Sequence, residues 1–410
     1  MQNCFLRLLI CLVLLANPRV VFAFSIEEVD EMEGFLHKAQ TTLNADNFVD
    51  KDSVFVGIES SFSQLRSLAL DGGGVLGVFE AEIIEEIEHQ TGKKIHQLFR
   101  GGITGVSTGS FMALAAVCPD NASEERMIDH KVFEERDSDT GDDKGNFVRY
   151  YEEMGGKVFK KWTARNCAGN MSACFMPERS KASNCFFGLL NTLTCCGCFA
   201  CNTNCNGYMG VKYSRTTLNR IVEEDFGHAK LQDALAPVQV VSYNLTKQTP
   251  EYATSIPGSN DKWLVRSMAQ AGLASSAAPT FFRAYKIDEE YHIDGGVIEN
   301  SPVMSSYAFA KRLSGGRQIN FNDFSHVYMM VSIGTGDAIY SNWNHLRRAG
   351  KLPWAAKVPD ITISGPRLIA AEQLSHILGD ENYYRITAPI YDDKVAEMDN
   401  PANIVPQDPR

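Results

Sequence analysis

An α/β fold is what this sequence predicts, and three observations predict it. Two segments, Leu65 to His89 and Gly102 to Val117, each read as strand, glycine turn and helix. Further apolar strands follow at Val238 to Tyr243 and Val327 to Val331. With 410 residues, 44% of them hydrophobic, the chain can bury one large core and fits a single α/β domain with insertions.

The second unit carries the sharpest chemistry. Gly102-Ile103-Thr104-Gly105-Val106 reads as a short buried strand, and Gly109 to Val117 as an apolar helix with Phe111, Met112, Leu114, Ala115 and Ala116. Between them lies Gly105-Val106-Ser107-Thr108-Gly109. A serine on a tight strand-to-helix turn needs Gly105 and Gly109 two positions either side, because side chains there would collide with the neighbouring strand and helix. Ser107 would sit at a helix N-terminus, where unpaired N–H groups favour negative charge on its oxygen. Alone, the pentapeptide is also compatible with an ordinary glycine-rich turn.

In the first unit, Leu65 to Leu70 forms the strand, Gly72 to Gly77 the turn, and Val78 to His89 a helix with Val78, Ala81, Ile84 and Ile87 at helical spacing. A loop without side chains aims successive N–H groups at one point, which suits a phosphate or the oxyanion of acyl transfer. Gly72-Gly73-Gly74-Val75-Leu76-Gly77 also satisfies a dinucleotide-loop spacing, but no acidic residue clearly ends a second strand about twenty residues on. A P-loop fails for want of Gly-Lys-Ser/Thr.

Far downstream stands Asp294-Gly295-Gly296. At Leu68-Ala69-Leu70-Asp71-Gly72-Gly73-Gly74, Gly105 to Gly109 and Ile293-Asp294-Gly295-Gly296, in that order, the chain resembles the patatin-like phospholipases. Ala274 to Phe282, Asn300-Ser301-Pro302 and Val331 to Gly336 are similar to that family too, so the resemblance covers most of residues 65 to 340. It implies a three-layer α/β/α sandwich with a central, mostly parallel sheet. It also implies Ser107 as nucleophile, Asp294 as its proton acceptor and Gly72, Gly73 and Gly74 as oxyanion hole, with Gly77, Gly105, Gly109, Gly295 and Gly296 as motif glycines. The implied activity is a phospholipase A type of lipid acyl hydrolysis through an acyl-enzyme, with a neutral glyceride lipase or esterase as the alternative. A catalytically silent lipid-binding or interaction protein is a second class, against which Ser107 and Asp294 both speak.

The chemistry of the residues is consistent with these roles. Serine is a poor nucleophile until a base takes its proton, and a dry cavity raises the pKa of an aspartate toward that task. Gly295 and Gly296 would let the backbone turn sharply behind the carboxylate. A Ser, Asp, His triad would need a histidine after the aspartate, for which His326, His345 and His376 are available. Two departures from the family pattern stand out: Leu76 where a basic residue usually neighbours the last loop glycine, and Ser110 where a second glycine often follows the pentapeptide.

The domain reading is a signal peptide over 1–23, an amphipathic helix and linker over 24–64, a catalytic domain over 65–340 and a C-terminal extension over 341–410. Arg7, the apolar run Leu8 to Ala16 and Val21-Phe22-Ala23 read as a cleavable secretory signal, predicting export to a secreted or periplasmic location. Ser25 to Ala45 reads as a helix, with Ser25 and Glu28 as a capping box and Ile26, Val29, Met32, Leu36, Ala39 and Leu43 along one face, for packing, membrane docking or autoinhibition. A net charge of −11 argues against nucleic acid as a partner. A lipid or membrane surface is the expected substrate side, an unidentified activating partner stays open, and no cofactor, metal or calcium is expected.

Residues 120 to 235 read as an insertion. Within it fall Cys167, Cys174, Cys185, Cys195, Cys196, Cys198, Cys201 and Cys205, an even set that in an exported chain points to disulfides, with zinc as the runner-up. Phe186, Phe187, Leu189, Leu190 and Phe199, with Lys157, Lys160, Lys161 and Arg165 before them, suit either a lid that docks on lipid or a small satellite core. Asn121, Asn170 and Asn244 open glycosylation acceptors, which matter only in a eukaryotic secretory path, and Asn244 follows a core strand, where burial would close it.

Overall fold

The computed structural model describes residues 66–120, 125–131, 145–159, 211–258, 261–313, 329–338, 344–379, 382–390 and 399. The segment read as a signal, the helix expected over 25–45 and the eight cysteines of 167–205 lie outside the described residues. Each glycine unit folds as its pattern predicts. Strand β1 (Arg66–Leu70) leads through a short 3-10 turn, Gly74–Gly77, into α1 (Val78–Thr91). After the single-turn α2 (Ile95–Leu98), β2 (Ile103–Val106) passes through Ser107 into α3 (Thr108–Val117), whose ten residues are all buried.

The remaining helices in chain order are α4 (Met127–His130), α5 (Asn146–Val158), α6 (Arg215–Phe226), α7 (Met268–Ser275), α8 (Gly296–Glu299), α9 (Val303–Leu313) and the 28-residue α10 (Lys351–Leu378). The remaining strands are β3 (Val238–Asn244), β4 (Thr249–Thr254), β5 (Tyr285–Ile287), β6 (Glu290–Asp294), β7 (Met329–Ile333), β8 (Asp337–Ala338), β9 (Tyr383–Ile386) and β10 (Pro389–Ile390). Strands β3, β2, β1, β7 and β9 pair in parallel, in that order, and β4, β6 and β5 join antiparallel at the β3 side. The sheet is thus mixed and mostly parallel.

Strand alternation makes the layers. Leu68 and Leu70 of β1 and Val331 and Ile333 of β7 face a large core built with α1, α3, α5, α6 and α7. The intervening Ala69 and Met330 face a second core with Val303 and Ala310 of α9 and Leu374 and Leu378 of α10. Helices therefore cover both faces of one sheet, as parallel strands buried on both sides require.

One part of the sequence reading changes here. Residues 146–158 and 215–226, inside the span read as an insertion, are core helices that bury Phe147, Tyr150, Tyr151, Leu218, Val222 and Phe226. The glycosylation acceptor Asn244 is fully buried at the end of β3, with Nδ2 donating to Glu251 and Glu290, each at 2.7 Å.

Candidate active site

Register on β3 places the two central residues. A strand has two edges, and β4 occupies one of them along Gln239–Asn244. Strands β2 and β6 must therefore share the other. They approach along it from opposite directions: Val106, the last residue of β2, is opposite Val241, and Asp294, the last of β6, is opposite Ser242. Two strand ends meet head to head, with Asp294 closing β6 and Ser107 following directly on β2. The Ser107 hydroxyl donates to Asp294 Oδ2 at 2.6 Å.

Ser107 holds φ 52° and ψ −119°, a left-handed strained conformation that costs on the order of 1–3 kcal/mol outside glycine. Its surroundings hold it there. A Cβ on Gly105 would lie 2.2 Å from the Gly109 carbonyl oxygen, and one on Gly109 would lie 2.5 Å from both the Leu70 and Asp71 carbonyl oxygens. The Ser107 N–H donates to Ser275 Oγ at 2.8 Å, and Ser275 Oγ donates to the Val241 carbonyl at 2.6 Å, so α7 pins the turn to β3. Ser110 Oγ donates to the Ser107 carbonyl at 2.5 Å, a contact a glycine could not make.

Asp294 is buried, and burial of its charge is the largest influence on its carboxyl. Hydrogen bonds from Ser107 and from Gly296 N–H (2.7 Å to Oδ1), and the Arg215 cation, pull the other way. The balance raises the carboxyl to about 6. Gly295 has an ordinary helical φ of −65°, so its glycine is not needed for a sharp turn. Space requires it: a Cβ would stand 2.4 Å from the Val241 carbonyl oxygen.

The glycine loop borders Ser107, since a Cβ on Gly72 would lie 3.2 Å from Ser107 Cβ. Its donors differ from the sequence expectation. The Gly72 N–H donates to the Asn300 carbonyl at 2.9 Å, while the Gly72 carbonyl accepts from Asn300 Nδ2 and Thr335 Oγ1, each at 3.0 Å. Gly72 is an anchor whose N–H is already used. The N–H groups of Gly73 and Gly74 have no backbone acceptor among the described residues, as expected at the start of a helical turn. Tyr151 of α5 ties the loop to the serine turn, donating to the Gly74 carbonyl and bonding the Thr108 hydroxyl; Gly77 leaves room for both side chains.

Beneath the loop, Arg385 of β9 donates from Nη2 to Asp71 Oδ2 at 2.5 Å and from Nη1 to Ser332 Oγ at 2.6 Å. Asp71 is fully buried. Nothing local in the sequence announces this pair, and the same holds for Ser275, Tyr151 and Thr335.

Among the described residues neither Ser107 nor Asp294 bonds a histidine. His376 is exposed on α10 and pairs with Glu372 at 3.1 Å. His326 and the His345 side chain lie outside the described residues. The one metal-ligand-like group among the described residues, Glu251, Glu290 and His292, has both carboxylates already taken by cations and donors. Lys262 reaches both carboxylates at 2.5 and 3.0 Å, Lys247 reaches Glu290 at 2.5 Å, and Asn244 bonds both. Cys118 is a free buried thiol pushed up to about 12 by burial, which keeps it protonated and inert.

A family model described as patatin-like phospholipase matches residues 204–307, a stretch that includes Asp294 and its glycines but not Ser107. Patatin-like protein 3 of Arabidopsis thaliana is 22% identical over 306 residues, covering 70% of this chain and 62% of that protein. Calcium-independent phospholipase A2-gamma of Rattus norvegicus is 27% identical over 252 residues, covering 58% of this chain and 25% of that protein. The chain thus spans less than two thirds of the length of these curated relatives. VipD from Legionella pneumophila, a solved structure, aligns over 84% of this chain and 65% of its own at 14% identity and a TM-score of 0.29, too slight a likeness to support any conclusion. The chain is thus similar to the patatin-like phospholipases, through a family model over residues 204–307 and through several patatin-like homologues.

Proposed function

We propose that this chain is a lipid acyl hydrolase that cleaves fatty-acyl esters on Ser107, with Asp294 as the base. The observation that carries the reading is the 2.6 Å hydrogen bond from Ser107 to a buried carboxylate, beside two glycine N–H groups without backbone partners. Asp294 Oδ2 takes the hydroxyl proton as Ser107 Oγ attacks the ester carbonyl carbon. Negative charge moves to the carbonyl oxygen, where the Gly73 and Gly74 N–H groups receive it. Collapse breaks the bond to the alcohol oxygen, which takes the proton from Asp294 and leaves. Water then attacks the acyl-enzyme, giving its proton to Asp294, and the second collapse releases the fatty acid and returns the proton to Ser107.

A carboxylate raised to about 6 remains ionised at neutral pH and is a better base than an exposed aspartate. The site itself holds no dedicated phosphate cation on the glycine loop, because Leu76 is buried there. Neutral glyceride therefore stands beside phospholipid as substrate. Product analysis after incubation with a diacyl phospholipid and with a diacylglyceride separates the two. Free fatty acid from either, lost in Ser107→Ala, supports the dyad; no release from any ester by folded protein would favour the catalytically silent reading.

A further inference from the structure

Helix α10 is far longer than the sheet it covers. Its 28 residues extend about 42 Å, whereas the neighbouring four-residue β9 extends about 13 Å. Its second half is anchored on the sheet: Leu374 and Leu378 lie in the core with Ala69 and Met330, and Arg367 is held at the carboxyl edge of β7 by the Gly336 carbonyl (3.3 Å) and Asp337 (2.7 Å). Residues 351–366, about 24 Å of helix, therefore project past the carboxyl edge of the sheet. That is the edge where Ser107 follows β2, and α10 packs on α8, which begins two residues after Asp294.

The projecting helix is apolar on its outward face. Within the projecting segment Trp354 is 39% exposed, Val358 46% and Ile361 40%, and just beyond it Leu368 is 62% and Ile369 59% exposed. At about 100° per residue these fall within an arc of about 100°, directly opposite Arg367, Leu374 and Leu378. Among the described residues of α10, Ile377 near its far end is the one exposed large apolar side chain off this stripe, and a face this apolar on the side away from the core needs a partner. At its foot, Arg347 and Arg348 are exposed, two cations on a chain of net charge −11. An aromatic and aliphatic face flanked by exposed arginines is the signature of a helix lying in a lipid interface, where the cations meet anionic headgroups.

We infer that the first half of α10 docks the protein on an anionic lipid surface, bringing the carboxyl edge of the sheet against the bilayer. This extends the proposed lipid hydrolysis and rests on it for the identity of the surface. Full-length W354S/V358S/I361S is compared with wild type by cosedimentation with vesicles of phosphatidylcholine mixed with phosphatidylglycerol, by turnover of a water-soluble ester, and by sedimentation velocity. The inference expects the vesicle-bound fraction constant to fall at least about tenfold with soluble-ester turnover unchanged. R347E/R348E, which touches no apolar packing, is expected to lose binding to the mixed vesicles and to keep its weaker binding to phosphatidylcholine alone. Wild-type-like vesicle binding by both variants overturns the inference. So does a wild-type dimer that W354S/V358S/I361S dissociates while still binding vesicles, which would make the stripe a contact between two copies. Vesicle binding without turnover of any ester by wild type would instead count against the dyad and leave docking supported.

Discussion

Arg385 of β9 reaches across to Asp71 at the end of β1, its Nη2 standing 2.5 Å from Oδ2 across 314 positions of chain. The carbonyls of Leu70 and Asp71 are also what Gly109 packs against, and the Gly109 N–H donates to the Asp71 carbonyl at 3.2 Å. One ion pair therefore sits under both the glycine loop and the serine turn.

Replacing that arginine separates positioning from folding. Arg385→Lys keeps a cation but not the fork that bonds Asp71 and Ser332 together, and we expect kcat to fall about tenfold with KM little changed. Arg385→Met leaves a buried carboxylate unpaired and should cost about 3–5 kcal/mol in urea unfolding. Asp71→Asn added to Arg385→Met should recover part of that loss.

Asp294 links activity to pH. Activity needs its carboxylate, so log(kcat/KM) should rise with pH up to about 6 and level off above. Its stability effect has the opposite sign. Burial raises the folded carboxyl above its unfolded value, so the contribution is fully present below the unfolded pKa, near 4, and is lost as pH rises through about 6. At pH 7 the buried charge withholds about 3 kcal/mol at most. Asp294→Asn should therefore melt at a higher temperature than wild type at pH 7, with a smaller difference at pH 4, while being inactive; a lower melting temperature at pH 7 would contradict the burial argument.

Gly73 has no room for a side chain. A Cβ there would stand 2.0 Å from Thr335 Oγ1, displacing the hydroxyl that holds the Gly72 carbonyl. Gly73→Ala should lower kcat about 10²–10³-fold, the usual cost of losing an oxyanion donor, with the far-ultraviolet circular dichroism unchanged. Retained turnover would place the oxyanion elsewhere.

Asn244 is predicted to carry no glycan when the chain passes through a eukaryotic secretory pathway, because its Nδ2 is fully buried against Glu251 and Glu290. Intact-mass analysis before and after glycosidase treatment checks this. Asn244→Ala should destabilise by about 2–4 kcal/mol, since it removes donors from two carboxylates.

The motif glycines were legible because a serine on a strand-to-helix turn needs them at fixed spacing; of the two beside Ser107, Gly105 is crowded by its own turn, while Gly109 is crowded by the neighbouring β1 carbonyls. The α/β class was legible from strand and helix periodicity. What brings Ser107 to Asp294 was not, because it depends on β2 and β6 sharing one edge of β3, a matter of register that no spacing in the sequence encodes. Gly72 was misassigned as an oxyanion donor because only the fold reveals Asn300 as its acceptor. Helices α5 and α6 were hidden inside an apparent insertion, their core faces obscured by the charged and cysteine-rich segments around them.

The most direct measurement of the central claim is site-resolved labelling by a fluorophosphonate, which reacts with an activated serine. The Ser107–Asp294 account predicts a single phosphonylated peptide containing Ser107, formed at a rate that falls at least about a hundredfold in Asp294→Asn while the protein stays folded. Equal labelling of Ser107 in wild type and Asp294→Asn, or no labelling of Ser107 in folded wild type, would contradict it.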